Sequence, residues 1–288
     1  MITRRIFLGT MAGGVGASLA ARRLGAGGGV ARAPFGLQLW SVRHDLDKDL
    51  PGTLARVKSL GIDEVESAGY HKRTAAEFAA ELRKAGLRCQ SMHVGWERME
   101  ADFSGVLRDA EALGARFVVN PYLPYQGKAI ATREEILRAA AAFAKWAREA
   151  KAAGRRFAYH LHSQEFGPAP EGTLFDVLAA ETGPEVGFEF DVFWVVWGGG
   201  DPVKLMEKYA RRVWLTHIKD MAKTIVPGKE GQDLESANVV AGTGRIDIAG
   251  VLRAGAKAGV EINYIEDESP DPFAQIPKSL VYLKGLGG

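Results

Sequence analysis

Lys151-Ala152-Ala153-Gly154-Arg155-Arg156-Phe157-Ala158-Tyr159-His160-Leu161-His162-Ser163 is the stretch on which the fold reading turns. It follows a segment, about 132–153, whose apolar residues recur at three-to-four spacing, as on the buried face of a helix. Gly154 then supplies the residue that best tolerates the left-handed conformation closing a helix. A short β-type run over Phe157–Ser163 follows at once. The same beat recurs along the chain. Strands are predicted at Phe35–Trp40, Ile62–Glu66, Leu87–His93, Arg116–Pro121, Phe157–Ser163, Val186–Val192, Val213–Ile218 and Glu261–Glu266. Helices are predicted over about 51–60, 74–85, 101–113, 132–153, 171–182, 201–211, 247–258 and 271–285, and Gly61, Gly86, Gly114, Gly154 and Gly259 each punctuate a helix end. Eight strands alternating with eight helices imply parallel strands that close into an α/β (β/α)8 TIM barrel over residues 34–288. An open doubly wound sheet is the competing architecture. It would carry a Gly-rich phosphate loop after its first strand, and Trp40-Ser41-Val42-Arg43 is not one.

Composition agrees with one large soluble domain. The chain has 288 residues, 47% hydrophobic and 25% charged, with a formal net charge of +2. That balance lacks the basic surface a nucleic-acid binder needs. The single cysteine, Cys89, excludes an internal disulfide and any Cys-rich zinc cluster. Residues 1–33 read as an address: Thr3-Arg4-Arg5-Ile6-Phe7-Leu8 precedes a weakly apolar, Gly/Ala-rich stretch, Gly9–Ala21, and Ala31-Arg32-Ala33 fits a small-x-small cleavage site. This resembles a twin-arginine signal peptide, and implies export to the periplasm or beyond. The apolar run is too short and glycine-rich for a stable membrane span.

Polar residues at the C-terminal ends of barrel strands face the side where such barrels place their sites. Strand five ends Tyr159-His160-Leu161-His162, strand six Phe188-Glu189-Phe190-Asp191, strand seven Thr216-His217-Ile218-Lys219-Asp220 and strand eight Ile265-Glu266-Asp267-Glu268. With period-two alternation His160 shares a face with His162, and Glu189 with Asp191, while Tyr159, Leu161, Phe188 and Phe190 lie under the helices. Imidazoles and carboxylates from four successive strands form an N/O donor set suited to one divalent ion: Mn, Zn, Co, Fe or Mg. Lys219 should share the face of His217 and stabilise an oxyanion. Glu66, His93 and Asn120 end strands two to four and are candidate substrate contacts. Trp40 and Trp194 are aromatic surfaces on which the apolar face of a sugar could stack. The segment 221–246, with Gly242-Thr243-Gly244-Arg245-Ile246-Asp247, is long enough to be functional, but its Gly-x-Gly has no strand before it and is not read as a nucleotide site.

Together, Tyr159–His162, Asp191-Val192-Phe193-Trp194, Asp201-Pro202, His217–Asp220, the Gly242–Asp247 loop and Ile265-Glu266 resemble the sugar phosphate isomerase/epimerase superfamily. These are the xylose isomerase-like TIM barrels, which also include endonuclease IV. The resemblance implies metal ligands at Asp191, His217 and Glu266, with His160 at the fourth, strand-five position, where the isomerases and epimerases carry a glutamate. It implies a metal-dependent isomerase or epimerase that moves a proton next to the carbonyl of a sugar or keto-sugar. Glu266 would be a ligand with base character, and His162 or Glu165 would take a proton role that the missing glutamate cannot. Because His160 departs from the pattern, a keto-sugar or keto-inositol lyase or dehydratase on the same site is the alternative. A non-catalytic carbohydrate-binding barrel and an AP-endonuclease-like phosphodiesterase complete the alternatives. The expected partner is a small sugar or keto-sugar and not nucleic acid. Such barrels often pair, so a homodimer is the oligomer to look for.

Overall fold

A computed structural model describes residues 33–124, 131–170 and 172–286. Apart from Ala33, the leader and its cleavage site lie outside the described residues. Eight strands form the barrel: β1 Phe35–Gln38, β2 Glu64–Ala68, β3 Arg88–His93, β4 Phe117–Asn120, β5 Arg156–Leu161, β6 Val186–Asp191, β7 Val213–Ile218 and β8 Ile262–Ile265. Each is parallel to the next, and β8 closes onto β1 through Phe35↔Asn263 and Leu37↔Ile265. The expected (β/α)8 barrel is therefore the observed fold. The five helix-ending glycines all have positive φ, and Gly259 (φ 97°) is the left-handed C-cap of the helix Ile248–Ala258.

Two helices went unread in the sequence, Arg43–Lys48 and Val192–Trp197. The second explains why β6 stops at Asp191 when the apolar run Val192-Phe193-Trp194-Val195-Val196-Trp197 looks like more strand. One carboxylate oxygen of Asp191, Oδ1, accepts the backbone N–H of Phe193 (2.8 Å) and of Trp194 (3.1 Å), which starts a helix at the strand end. Likewise β1 ends at Gln38, and Trp40 sits in a 3-10 turn, Leu39–Val42.

Side-chain alternation sorts the core into two layers. Outside the barrel wall, Tyr159 packs on Phe143 (ring centroids 4.9 Å), and Phe188 and Phe190 pack on Phe175 (4.9 and 5.7 Å), as expected for residues under helices. Inside, Phe117, Val119, Ala158, Trp214, Leu215, Ile262 and Tyr264 form a separate apolar plug. Trp214 enters it because the register between β6 and β7 slips by one residue, Phe188↔Val213 being followed by Glu189↔Leu215. Its ring lies 1.9 Å from where a Cβ on residue 187 would stand, so only glycine fits there. The plug closes the N-terminal half of the barrel, and polar side chains fill the C-terminal half.

The 221–246 segment is tied down by one carboxylate. Asp220 accepts backbone N–H groups of Gly242 (2.9 Å), Gly244 (2.8 Å), Ile246 (3.1 Å) and Met221 (2.8 Å). The Gly-x-Gly thus wraps a side chain of the protein itself, in line with its not being a nucleotide loop. Among the described residues, no helix is long and apolar enough to cross a membrane.

Candidate metal centre at the C-terminal end of the barrel

A cavity of about 530 Å³ opens above the polar half of the barrel. Trp40, Tyr122 and Trp194 stand among its walls, and His93, His160, His162 and Glu266 reach it from the strand ends. Trp40 is 44% exposed and its Nε1 donates to Glu268 Oε2 (3.3 Å). Both tryptophans line the cavity.

Below the cavity, Asp191, His217 and Glu266 converge, with ligand atoms within 4.8 Å of one another. His217 Nδ1 lies 3.1 Å from Glu266 Oε2 and 3.9 Å from Asp191 Oδ2. Lys219 Nζ lies 3.4 Å from Glu266 Oε2 and 3.8 Å from Asp191 Oδ2, and it also bonds Glu268. Asp191 divides its labour: Oδ1 caps the following helix, while the buried Oδ2 has no hydrogen-bond partner among the described residues. An orphaned carboxylate oxygen is costly in a protein interior, and an N/O donor set completed by it fits a divalent cation of the hard or borderline kind. Burial pushes the Asp191 carboxyl up, with Lys219 opposing the shift and Glu266 adding to it. Burial would also raise Glu266, but the Lys219 and His217 charges outweigh it and hold that carboxyl well below the usual range.

A second cluster lies alongside. Glu66 is fully buried; its Oε1 accepts from Gln38 Nε2 (2.6 Å) and lies 2.7 Å from His217 Nε2, and its Oε2 takes the Ser91 hydroxyl. The His217 ring is thus held with Nε2 on Glu66 and Nδ1 on Glu266, with Asp191 Oδ2 just beyond. A carboxylate behind a ligating imidazole commonly sets its tautomer and orientation in this way. His93 Nε2 reaches Glu189 Oε2 (2.7 Å) and Glu66 Oε1 (3.0 Å). Burial alone would lower His93, yet the Glu66 and Glu189 carboxylates carry it up to about 9.

The four residues expected to hold one ion are thus divided. Asp191, His217 and Glu266 come together. His160, whose ring lies 4.5 Å from that of His217, directs Nδ1 to Glu189 Oε2 (3.1 Å). His162 lines the cavity, its ring 5.5 Å from Trp194, and burial followed by the Lys219 charge lowers it to about 3, so it is a neutral imidazole. Glu165 is buried, takes the Tyr159 hydroxyl on Oε1 and accepts the His162 backbone N–H on Oε2 (3.0 Å); it fastens the turn that carries His162. Two expected substrate contacts lie elsewhere. Glu66 has no exposed surface, and Asn120 is buried with its amide donating to the Val94 carbonyl (3.2 Å). Neither is among the cavity-lining residues. Two site residues went unnamed as candidates: Glu189, one pleat below Asp191 on the same face, and Glu268, two residues beyond Glu266. Alternation puts Glu189 on the face of Asp191 but does not show which histidines it meets across the barrel.

The comparisons agree with this architecture. A relative, the rhizopine catabolism protein MocC of Rhizobium meliloti, is 27% identical over 269 residues, 83% of this chain and 79% of its own length. Among solved structures, a sugar phosphate isomerase/epimerase from Parabacteroides distasonis superposes with a TM-score of 0.68 at 25% identity, covering 90% of this chain and 96% of that one. The IOLI protein, solved with a bound zinc atom, superposes with a TM-score of 0.66 at 15% identity over 88% of this chain and 96% of its own, a likeness of fold. The family described as xylose isomerase-like TIM barrel matches residues 54–285, and the chain belongs to that family.

Proposed function

We propose that the protein is a divalent-metal-dependent enzyme that transfers a proton next to the carbonyl of a sugar or keto-sugar. The observation that carries this reading is Asp191 Oδ2, without a hydrogen-bond partner among the described residues and buried beside His217 and Glu266 beneath a cavity lined by Trp40 and Trp194. Asp191, His217 and Glu266 would hold the ion, which supplies polarisation of a carbonyl and of the hydroxyl beside it. The zinc bound by the structurally similar IOLI protein is consistent with such an ion here.

The chain's own residues then divide the work. Trp40 and Trp194 flank the apolar face of the sugar and leave its hydroxyls to the histidines and carboxylates. Lys219, with its charge sustained by Glu266, Asp191 and Glu268 against burial, stands ready to stabilise a developing oxyanion. Glu266, an ionised carboxylate lining the cavity, would accept the proton from carbon and deliver that same proton to the neighbouring carbon or to the leaving oxygen, while the neutral His162 imidazole hydrogen-bonds a hydroxyl beside it.

Isomerisation or epimerisation is the first reading. A dehydratase or lyase reading is favoured by one observation: strand five offers His160, turned to Glu189, where a second cavity carboxylate would be needed for a two-carboxylate epimerisation. Elimination begins with the same proton abstraction and needs only one base on the face of the sugar from which the proton leaves. A panel of sugars and 3-keto-sugars incubated with metal-loaded protein in deuterated water tests the class. Deuterium should enter a carbon adjacent to a carbonyl, with epimer formation marking the first reading and loss of water the second. No exchange anywhere in the panel would contradict both. We also propose export by the twin-arginine route, supported by Arg4-Arg5 and the Gly/Ala-rich stretch behind them. Replacing both arginines by lysine should retain the chain in the cytoplasm.

A further inference from the structure

We infer that His93, His160 and Glu189 form a second divalent-cation site, separate from Asp191, His217 and Glu266, opening on the same cavity. The argument starts at one atom. Glu189 Oε2 has three imidazole nitrogens around it: His93 Nε2 at 2.7 Å, His160 Nδ1 at 3.1 Å and His217 Nε2 at 3.2 Å. The other oxygen, Oε1, is buried and has no hydrogen-bond partner among the described residues. A carboxylate has about two acceptor positions on each oxygen. A network built only of hydrogen bonds would spread three donors over both oxygens, not crowd one and strand the other.

A ligand shell has no such mismatch. With bonds of about 2.1 Å, neighbouring donor atoms around a tetrahedral or octahedral ion stand about 3.0–3.4 Å apart. The observed 2.7 and 3.1 Å edges need only slight opening to admit an ion. His217 is spoken for, since Nε2 lies on Glu66 at 2.7 Å and Nδ1 faces the first cluster. That leaves two imidazoles and one carboxylate. His93 and His160 line the cavity while Glu189 is fully buried beneath, so an ion they hold would keep its open positions toward a ligand in the cavity. Glu66 Oε1, 3.0 Å from His93 Nε2, adds a neighbouring negative edge.

The inference is independent of the reaction proposed above, and metal counting separates the two. The full chain is stripped with chelator and reloaded with Mn²⁺ or Zn²⁺, and bound metal is counted by mass spectrometry and calorimetry. Two equivalents are expected in the wild type. His160→Asn and Glu189→Gln should each leave one, and Asp191→Asn should leave the other one. Thermal melts identify any variant that fails to fold; His160→Asn, the mildest change, then carries the test. A wild type that binds one equivalent, or two that His160→Asn does not reduce, overturns the second site. Two equivalents undiminished by Asp191→Asn would instead overturn the first.

Discussion

The two ends of the barrel differ in what fills their interior. At the N-terminal end the interior is an apolar plug, in which the Tyr264 hydroxyl, like the nearby Arg116 Nε, has no hydrogen-bond partner among the described residues. Glu261 receives both Arg116 (2.7 Å) and Arg156, and the Arg156 guanidinium lies 3.6 Å above the Trp214 ring. At the C-terminal end Asp191, Glu266 and Glu268 surround Lys219, Glu66 and Glu189 face histidines, and Asp191 Oδ2 and Glu189 Oε1 have no hydrogen-bond partner among the described residues. Both ends use the same strands, so the difference does not come from the fold. One end is filled mainly by apolar side chains. The other gathers carboxylates and imidazoles, the donor set that the proposed ion would use.

Substitutions at either end test that contrast. The largest effect is expected from His217→Ala, which should abolish metal binding at the Asp191 cluster and lower turnover by roughly 10²–10³-fold or more, while leaving the fold intact by circular dichroism. Retention of that metal would remove His217 from the ligand set. Trp214→Ala at the other end should cost about 3–5 kcal/mol of stability, read from denaturant unfolding, with metal content unchanged in the folded protein. If metal were lost as well, the two ends would not be separable. Glu66→Gln should weaken metal affinity by about 10–100-fold, measured by competition with a chelator, because it leaves His217 in place but loosens its orientation. The smallest effect belongs to Glu261→Gln. Its partly exposed ion pairs should contribute less than about 1 kcal/mol, and a larger loss would mean that the N-terminal end too depends on buried charge.

The same contrast explains what could be read from the chain alone. The barrel was legible because strand, helix and closing glycine repeat locally, and each beat such as Gly154 followed by Phe157–Leu161 needs no distant partner. Asp191, His217 and Glu266 were legible as polar residues at strand ends. The depth of a residue in the barrel was not. Glu189 shares the face of Asp191, but alternation says nothing of which pleat meets which histidine across the interior. Glu66 was read as a substrate contact and lies buried behind His217, a meeting of β2 with β7 that no neighbouring-strand pattern encodes. The end of β6 was missed for a related reason: Asp191 stops the strand through its side chain, and hydropathy does not register a cap.

The central claim is that Asp191, His217 and Glu266 hold a divalent ion under the cavity. Crystals loaded with Mn²⁺ and measured near the manganese absorption edge test it most directly. The account predicts an anomalous peak bounded by Asp191 Oδ2, His217 Nδ1 and Glu266. Fully loaded crystals with no peak there would contradict it.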